Sequence, residues 1–316
     1  MRRPRSERIP HGQAGIWHIV SRCVRSSRLL EGAGSREWLS AAFASWLDVL
    51  AVDLLGYALM GNHVHVIVRT RPDVAAGWTP GEVRRRLVAS AAVSDGRPGL
   101  PSEAPVGSRL SADELMDARA LLSHPGAMLR AVKEGFARRL NRSEGTAGHV
   151  WESRYQDIAL LDAGGVLACL VYVDLNPFRA GLVKDPKQSQ FCSARHRLAV
   201  DKKAPDAVLA LRLTVLNGHP LLLGDGSPAG SWAWTSGEVA ELTDATARMI
   251  RTGSGWLPSW ANELLPRLGV AHEHWSERMS RPGMLASGNV LAAHRTRAAL
   301  ATGRMPSDKS GLFGRV

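Results

Sequence analysis

The stretch Gly56-Tyr57-Ala58-Leu59-Met60-Gly61-Asn62-His63-Val64-His65-Val66-Ile67-Val68 constrains this chain more than any other. Two histidines stand two residues apart inside an apolar run. In an extended strand, residues i and i+2 point to the same face. His63 and His65 therefore project side by side, with Val64 and Val66 on the opposite face. Neutral imidazole nitrogen is a common ligand for divalent metals, so the pair supplies half of a metal site. A strand histidine also serves as an ordinary sheet residue, and two ligands do not define a metal.

The flanking sequence gives the pair its setting. Asp53 to Met60 reads as a strand, Gly61-Asn62 as a short turn, and His63 to Arg69 as the returning strand of a hairpin. Upstream, Ile16-Trp17-His18-Ile19-Val20-Ser21-Arg22-Cys23-Val24 is rich in β-branched residues and reads as a first strand. Ser35 is the expected cap of a helix with apolar residues at Leu39, Ala42, Phe43, Trp46, Leu47 and Leu50. That spacing is the core stripe of an amphipathic helix. The order is strand, helix, strand, strand.

Charge narrows the partners. Forty Lys and Arg against 29 Asp and Glu give a net charge of +11 and a pI near 10.4. Such a balance favours a polyanion, most simply nucleic acid, with a membrane surface as the alternative. No apolar run is long enough to span a bilayer, and no apolar core follows the basic start Met1-Arg2-Arg3-Pro4-Arg5. The three cysteines, Cys23, Cys169 and Cys192, are far apart and odd in number. They suit reduced thiols in a cytoplasm better than a disulfide framework or a zinc cluster. The 316 residues allow one large domain or two ordinary ones.

Residues 71 to 125 read as an insertion. Thr79-Pro80-Gly81-Glu82 and Ser111-Ala112-Asp113-Glu114 each carry the signature of a capped helix start, and a Gly, Pro and Ser-rich loop over 96 to 107 separates them. Met128, Val132, Phe136 and Leu140 then mark the core side of a helix, and Arg130, Lys133, Arg138 and Arg142 lie off that stripe. These charges form either a solvated face or a phosphate-binding one. A mixed aromatic and charged segment, Trp151-Glu152-Ser153-Arg154-Tyr155, follows. Asp162 is the expected cap of a helix to about Leu175, ended by Pro177. Val208 to Leu223 is apolar, but Asn217-Gly218-His219-Pro220 argues against one long helix there. Glu238 to Arg251 reads as a helix, and residues 280 to 316 are basic.

That last helix before Pro177 carries Tyr172-Val173-Asp174-Leu175-Asn176. Tyr172 and Asn176 are four apart and share a helix face. A tyrosine hydroxyl can attack phosphorus and hold a covalent phosphodiester. Its ordinary pKa near 10 makes it a poor nucleophile alone, and a divalent ion on the phosphate offsets part of that. Asn176 offers an oxygen to join the two imidazoles. The plainer reading is a half-buried tyrosine packed on the sheet and an asparagine closing the helix end.

His63-Val64-His65 followed by Tyr172-Val173-Asp174-Leu175-Asn176-Pro177-Phe178-Arg179-Ala180-Gly181-Leu182-Val183 resembles the single-tyrosine HUH transposases, and most closely the REP-associated tyrosine transposases. The resemblance spans roughly residues 10 to 200. It implies an α+β fold: a ferredoxin-like, RRM-like antiparallel sheet backed by helices. Here that fold would carry a helical insertion over 71–125 and a mostly helical C-terminal extension over 201–316, with DNA binding as the role expected of the extension. It further implies Mg²⁺ or Mn²⁺ held by His63, His65 and Asn176, with Tyr172 forming a 5′-phosphotyrosine link to single-stranded or hairpin DNA. The DNA-contacting residues expected with it are Arg22, Arg130, Lys133, Arg138, Arg142, Arg154 and Arg179. The expectation is a cytoplasmic, nucleoid-associated monomer or homodimer without a membrane partner. Two other readings fit the same residues: a nucleic-acid-binding regulator that has lost catalysis, and a metal phosphoesterase that uses water and does not need Tyr172.

Overall fold

The computed structural model describes residues 9, 11–94, 109–160, 163–214, 216, 234–253, 255–267, 275, 279 and 290–291. In chain order the elements are β1 (Gly15–Arg22), α1 (Ser35–Leu47), β2 (Val52–Leu59), β3 (His63–Thr70), α2 (Pro72–Ala76), α3 (Pro80–Ser94), α4 (Ala112–Leu122) and α5 (Gly126–Glu144). Then follow β4 (Gln156–Leu160), α6 (Ala163–Asp174), α7 (Asn176–Arg179), α8 (Ser193–His196), α9 (Ala207–Ala210), α10 (Ser236–Thr252), α11 (Ser259–Arg267) and β5 (Val290–Leu291).

The strands form one sheet in the order β2-β3-β1-β4-β5. The first four are antiparallel neighbours, and β5 adds a two-residue parallel edge to β4. This is a mixed α+β architecture, a four-strand antiparallel sheet backed by helices. Strand alternation divides the side chains between two cores. Trp17, Ile19, Tyr57, Val64, Val66 and Val68 pack under α1 and α5, together with Leu39, Phe43, Val132 and Phe136. Ile16, Leu55, Ala58 and Ile67 pack on the other face under α6, which α10 covers in turn. Both faces are covered, so the strands are apolar almost throughout.

Gly56 shows how closely α6 approaches the sheet. It follows a register shift in β2, between Leu54 and Gly56. A Cβ built there would stand 3.0 Å from Arg197 Nη2 and 3.4 Å from Leu170 Cδ2. The chain after α7 then runs along the outer edge of β2. Ala58 bridges Cys192, the Leu59 amide donates to the Phe191 carbonyl, and the Thr214 amide donates to the Leu54 carbonyl. An open edge is a template for unwanted pairing, and this segment occupies it.

Several sequence expectations are met. The hairpin, the capping box of Ser111 and Glu114, the Thr79 cap of α3 and the buried stripe of α5 all stand as read. Two boundaries differ. Ser35 is the first residue of α1, because Gly34 takes the capping position with a φ of 70°. Left-handed backbone there suits a residue without Cβ. Pro177 does not end the helical path but lies in the first turn of α7, where its missing N–H is unused. The loop over 96–107, the Asp162 cap and most of 280–316 lie outside the described residues.

Candidate active site

Register brings the histidines together. In the β1–β3 ladder, Arg22 faces His63, Val20 faces His65 and His18 faces Ile67. Paired residues of antiparallel strands share a face. His18, His63 and His65 therefore line one side of the sheet, the side that α6 covers. The His63 and His65 rings are 4.7 Å apart and nearly perpendicular, and the His18 and His65 rings lie 5.0 Å apart. His18 Nε2 and His65 Nδ1 are hydrogen-bonded at 2.8 Å. His63 Nδ1 is bonded to Asn62 Oδ1 at 2.6 Å. The other ring nitrogen of His65, Nε2, is buried with no hydrogen-bond partner.

Burial keeps these imidazoles neutral. It pulls the His18 pKa down to about 3, with the His63 charge adding to the effect. It pulls His63 down to about 4, helped by the Arg22 guanidinium. His65 lies well below its usual value, again chiefly through burial and then through His18, His63, Arg22 and Arg179. Neutral imidazole is the form that offers a lone pair to a metal.

Tyr172 meets this cluster from α6. Its ring is edge-on to His65 at 5.8 Å and to His18 at 6.0 Å. The Arg179 guanidinium lies over the tyrosine ring at 5.0 Å from its centre. Among the chain's three tyrosines, Tyr57 and Tyr155 are 0% and 5% exposed, whereas Tyr172 is half-buried. Tyr57 is further removed from chemistry. Its hydroxyl donates to Asp206 at 2.8 Å, and burial followed by that carboxylate drives its pKa far up.

The end of α6 is fixed by a buried polar network. Arg197 donates to Asp174 Oδ2 at 2.9 Å and to the Leu55 carbonyl at 2.7 Å, and both charged side chains are 0% exposed. Ser193 Oγ donates to Asp174 Oδ1 at 2.5 Å and accepts the Tyr57 amide at 3.0 Å. Buried charge of this kind must be paired. The network ties the residue two after Tyr172 to β2.

The predicted residues fall into groups. Tyr172, His63, His65, Arg22 and Arg179 gather at one place. Asn176 is buried, and its Nδ2 donates to the Tyr172 carbonyl at 2.9 Å, the closing role open to it from sequence. The four basic residues of α5 do not form one face. Arg130 and Lys133 line a cleft with Trp151 and Arg154, whereas Arg138 and Arg142 line another with Trp38. Nine residues at 3.6 per turn make about two and a half turns, so Lys133 and Arg142 point to opposite sides of the helix. Lys133 is also engaged within the chain, donating to the Ser153 carbonyl at 2.6 Å and lying 5.5 Å over the Trp151 ring. Sequence reading missed His18 as a member of the cluster. Its alternation with Ile16 and Val20 placed it on one strand face, but nothing local named β3 as the neighbour.

The residues suit a divalent ion in part. Two neutral imidazoles and a buried, unpartnered His65 Nε2 are the donor chemistry such an ion requires. Among the described residues, however, no group of three His, Cys, Asp or Glu side chains is placed to hold a metal. His18 is turned to His65, so a third donor has to be an amide, water or phosphate oxygen.

No family model matches the chain, and no curated protein matches it. Among solved structures it is similar, at 16% identity and a TM-score of 0.36, to a REP-associated tyrosine transposase bound to a REP hairpin. The match covers 63% of this chain and 86% of that one. Among the described residues no helix is long and apolar enough to cross a membrane.

Proposed function

We propose that this chain is a DNA strand transferase that nicks and rejoins single-stranded or hairpin DNA through Tyr172. The observation that carries the reading is the half-buried Tyr172 ring held 5.8 Å from His65, with Arg179 over its face. In the first step the Tyr172 oxygen bonds to phosphorus, the bond from phosphorus to the 3′ oxygen breaks, and the 3′-hydroxyl leaves with the tyrosine proton's equivalent. The 5′-phosphate stays on tyrosine. In the second step a 3′-hydroxyl attacks that phosphotyrosine and restores the phenol, so no bond energy is lost. Arg179 and Arg22 are the cations placed to meet the phosphate charge. His63, His65 and the oxygen of Asn176 would hold Mg²⁺ or Mn²⁺, which when bound polarises the scissile phosphate.

The sheet supports a finer fold assignment in the same reading. Reversed, its order is β4-β1-β3-β2, with α1 between β1 and β2 and α5 between β3 and β4. We read that connectivity as ferredoxin-like, and propose 71–125 as an insertion and 201–316 as an extension of a catalytic domain over 1–200. Proposed DNA contacts also include Arg154 beside Arg130 and Lys133, and Arg138 beside Arg142, in a cytoplasmic, nucleoid-associated monomer or homodimer.

The test is labelled hairpin DNA with a single-stranded flank, incubated with Mg²⁺ or Mn²⁺ and resolved under denaturing conditions. A covalent protein–DNA band is expected from the wild type and none from Tyr172→Phe, which should bind DNA as well as the wild type. An adduct formed by Tyr172→Phe refutes the assignment of the nucleophile. Binding without an adduct in either protein points to the regulator.

A further inference from the structure

A neutral imidazole has one N–H and one lone pair, and the partner of one nitrogen decides what the other offers. At His63 the answer follows from geometry. Asn62 Oδ1 only accepts, so His63 Nδ1 carries the proton in their 2.6 Å bond. The Asn62 amide is itself oriented, since its Nδ2 donates to the Ser26 carbonyl at 3.2 Å. Ser26 sits in an unusual turn, where Arg25 and Ser26 have φ of 51° and 53°. Left-handed backbone at successive non-glycine residues persists only where the surroundings impose it. Two backbone bonds impose it here: the Cys23 amide to the Asn62 carbonyl at 2.8 Å, and the Leu30 amide to the Gly61 carbonyl at 2.9 Å.

At His65 two arrangements satisfy the 2.8 Å bond to His18. If His18 donates, His65 keeps its proton on Nε2, which is buried with no acceptor. If His65 Nδ1 donates, the buried Nε2 is a bare lone pair. Orphaned buried N–H groups are rarer than under-satisfied acceptors, which selects the second arrangement.

We infer that Asn62 and His18 are positioning residues that hold His63 and His65 in the same tautomer, with both protons on Nδ1 and both Nε2 lone pairs presented to a cation. Neither residue is a ligand. They come from different places, the hairpin turn and the neighbouring strand, and act on one imidazole each. The inference rests on the proposed metal-dependent reading for its purpose, but its tautomer content stands apart from it.

Two measurements decide the matter. Nitrogen-15 NMR of the metal-free wild type should show protonated Nδ1 and bare Nε2 at both His63 and His65. A protonated Nε2 at either overturns the inference. Mn²⁺ titration should show affinity about 10–100-fold weaker for Asn62→Ala and for His18→Leu, the usual cost of losing such a partner. Asn62→Asp and His18→Gln, which keep an accepting oxygen, should restore nearly wild-type affinity. Unchanged affinity in Asn62→Ala overturns the role, and Asn62 is only half-buried, so this variant decides the case even if His18→Leu does not fold. If the wild type binds no Mn²⁺, the metal reading above fails, and the tautomer spectra still decide this one.

Discussion

Arg197→Met should destabilise the protein by about 3–5 kcal/mol, the range for stripping one partner from a buried ion pair. The structure shows why the upper range applies. Arg197 and Asp174 are both 0% exposed, and Arg197 also serves the Leu55 carbonyl at 2.7 Å. Removing it leaves the Asp174 carboxylate with Ser193 Oγ as its remaining side-chain donor among the contacts described above, and leaves the Leu55 carbonyl without this donor. At roughly 2–4 °C per kcal/mol for a domain of this size, thermal unfolding should drop by roughly 6–20 °C. Urea unfolding followed by circular dichroism measures the free energy directly. The double variant Asp174→Leu/Arg197→Met removes both charges and should recover much of the loss. A single-variant loss below about 1 kcal/mol, or a double variant as unstable as the two singles summed, would refute the idea that paired burial fixes the end of α6.

The remaining predictions concern charge. DNA binding should weaken steeply with salt, and Arg130→Gln/Lys133→Gln and Arg138→Gln/Arg142→Gln should be compared as separate pairs. Each pair that neutralises two phosphates of a single strand flattens the log–log salt slope by about 1.4, and a pair that leaves it unchanged faces solvent only. Stability should fall as pH drops from about 6.5 toward 4. His18 and His63 titrate near 3 and 4 in the fold, below the free value of about 6.5, so in that window the unfolded chain binds protons that the folded chain does not. Urea midpoints across that range check this, and His63→Gln should reduce the slope; an equal slope in the variant would remove His63 from the account.

Much of this architecture was written locally. The hairpin around Gly61-Asn62, the stripe of α5 and the caps at Thr79 and Ser111 depend on residues a few positions apart, and so were readable. Ser35 misled because a good capping residue followed a glycine whose backbone freedom took the position instead. The α5 basic residues misled because they were treated as one face, although the helical repeat already separates Lys133 from Arg142. His18 and the Asp174–Arg197 pair were illegible for a different reason. Their partners lie 47 and 23 residues away, and only strand order and helix docking bring them together.

The placement of α6 between the sheet and α10 also sets a timetable. A ribosome releases His18 first, then His63 and His65, then Tyr172, and only afterwards Arg197 and the residues of α10. At about 5–20 residues per second, the 80 residues from Tyr172 to Thr252 take roughly 4–16 s to synthesise. Until then the tyrosine helix lacks both its ion-pair anchor and its outer cover. The nascent chain thus carries His18, His63, His65 and Tyr172 well before it can hold them in place, and their fixed arrangement waits on α10.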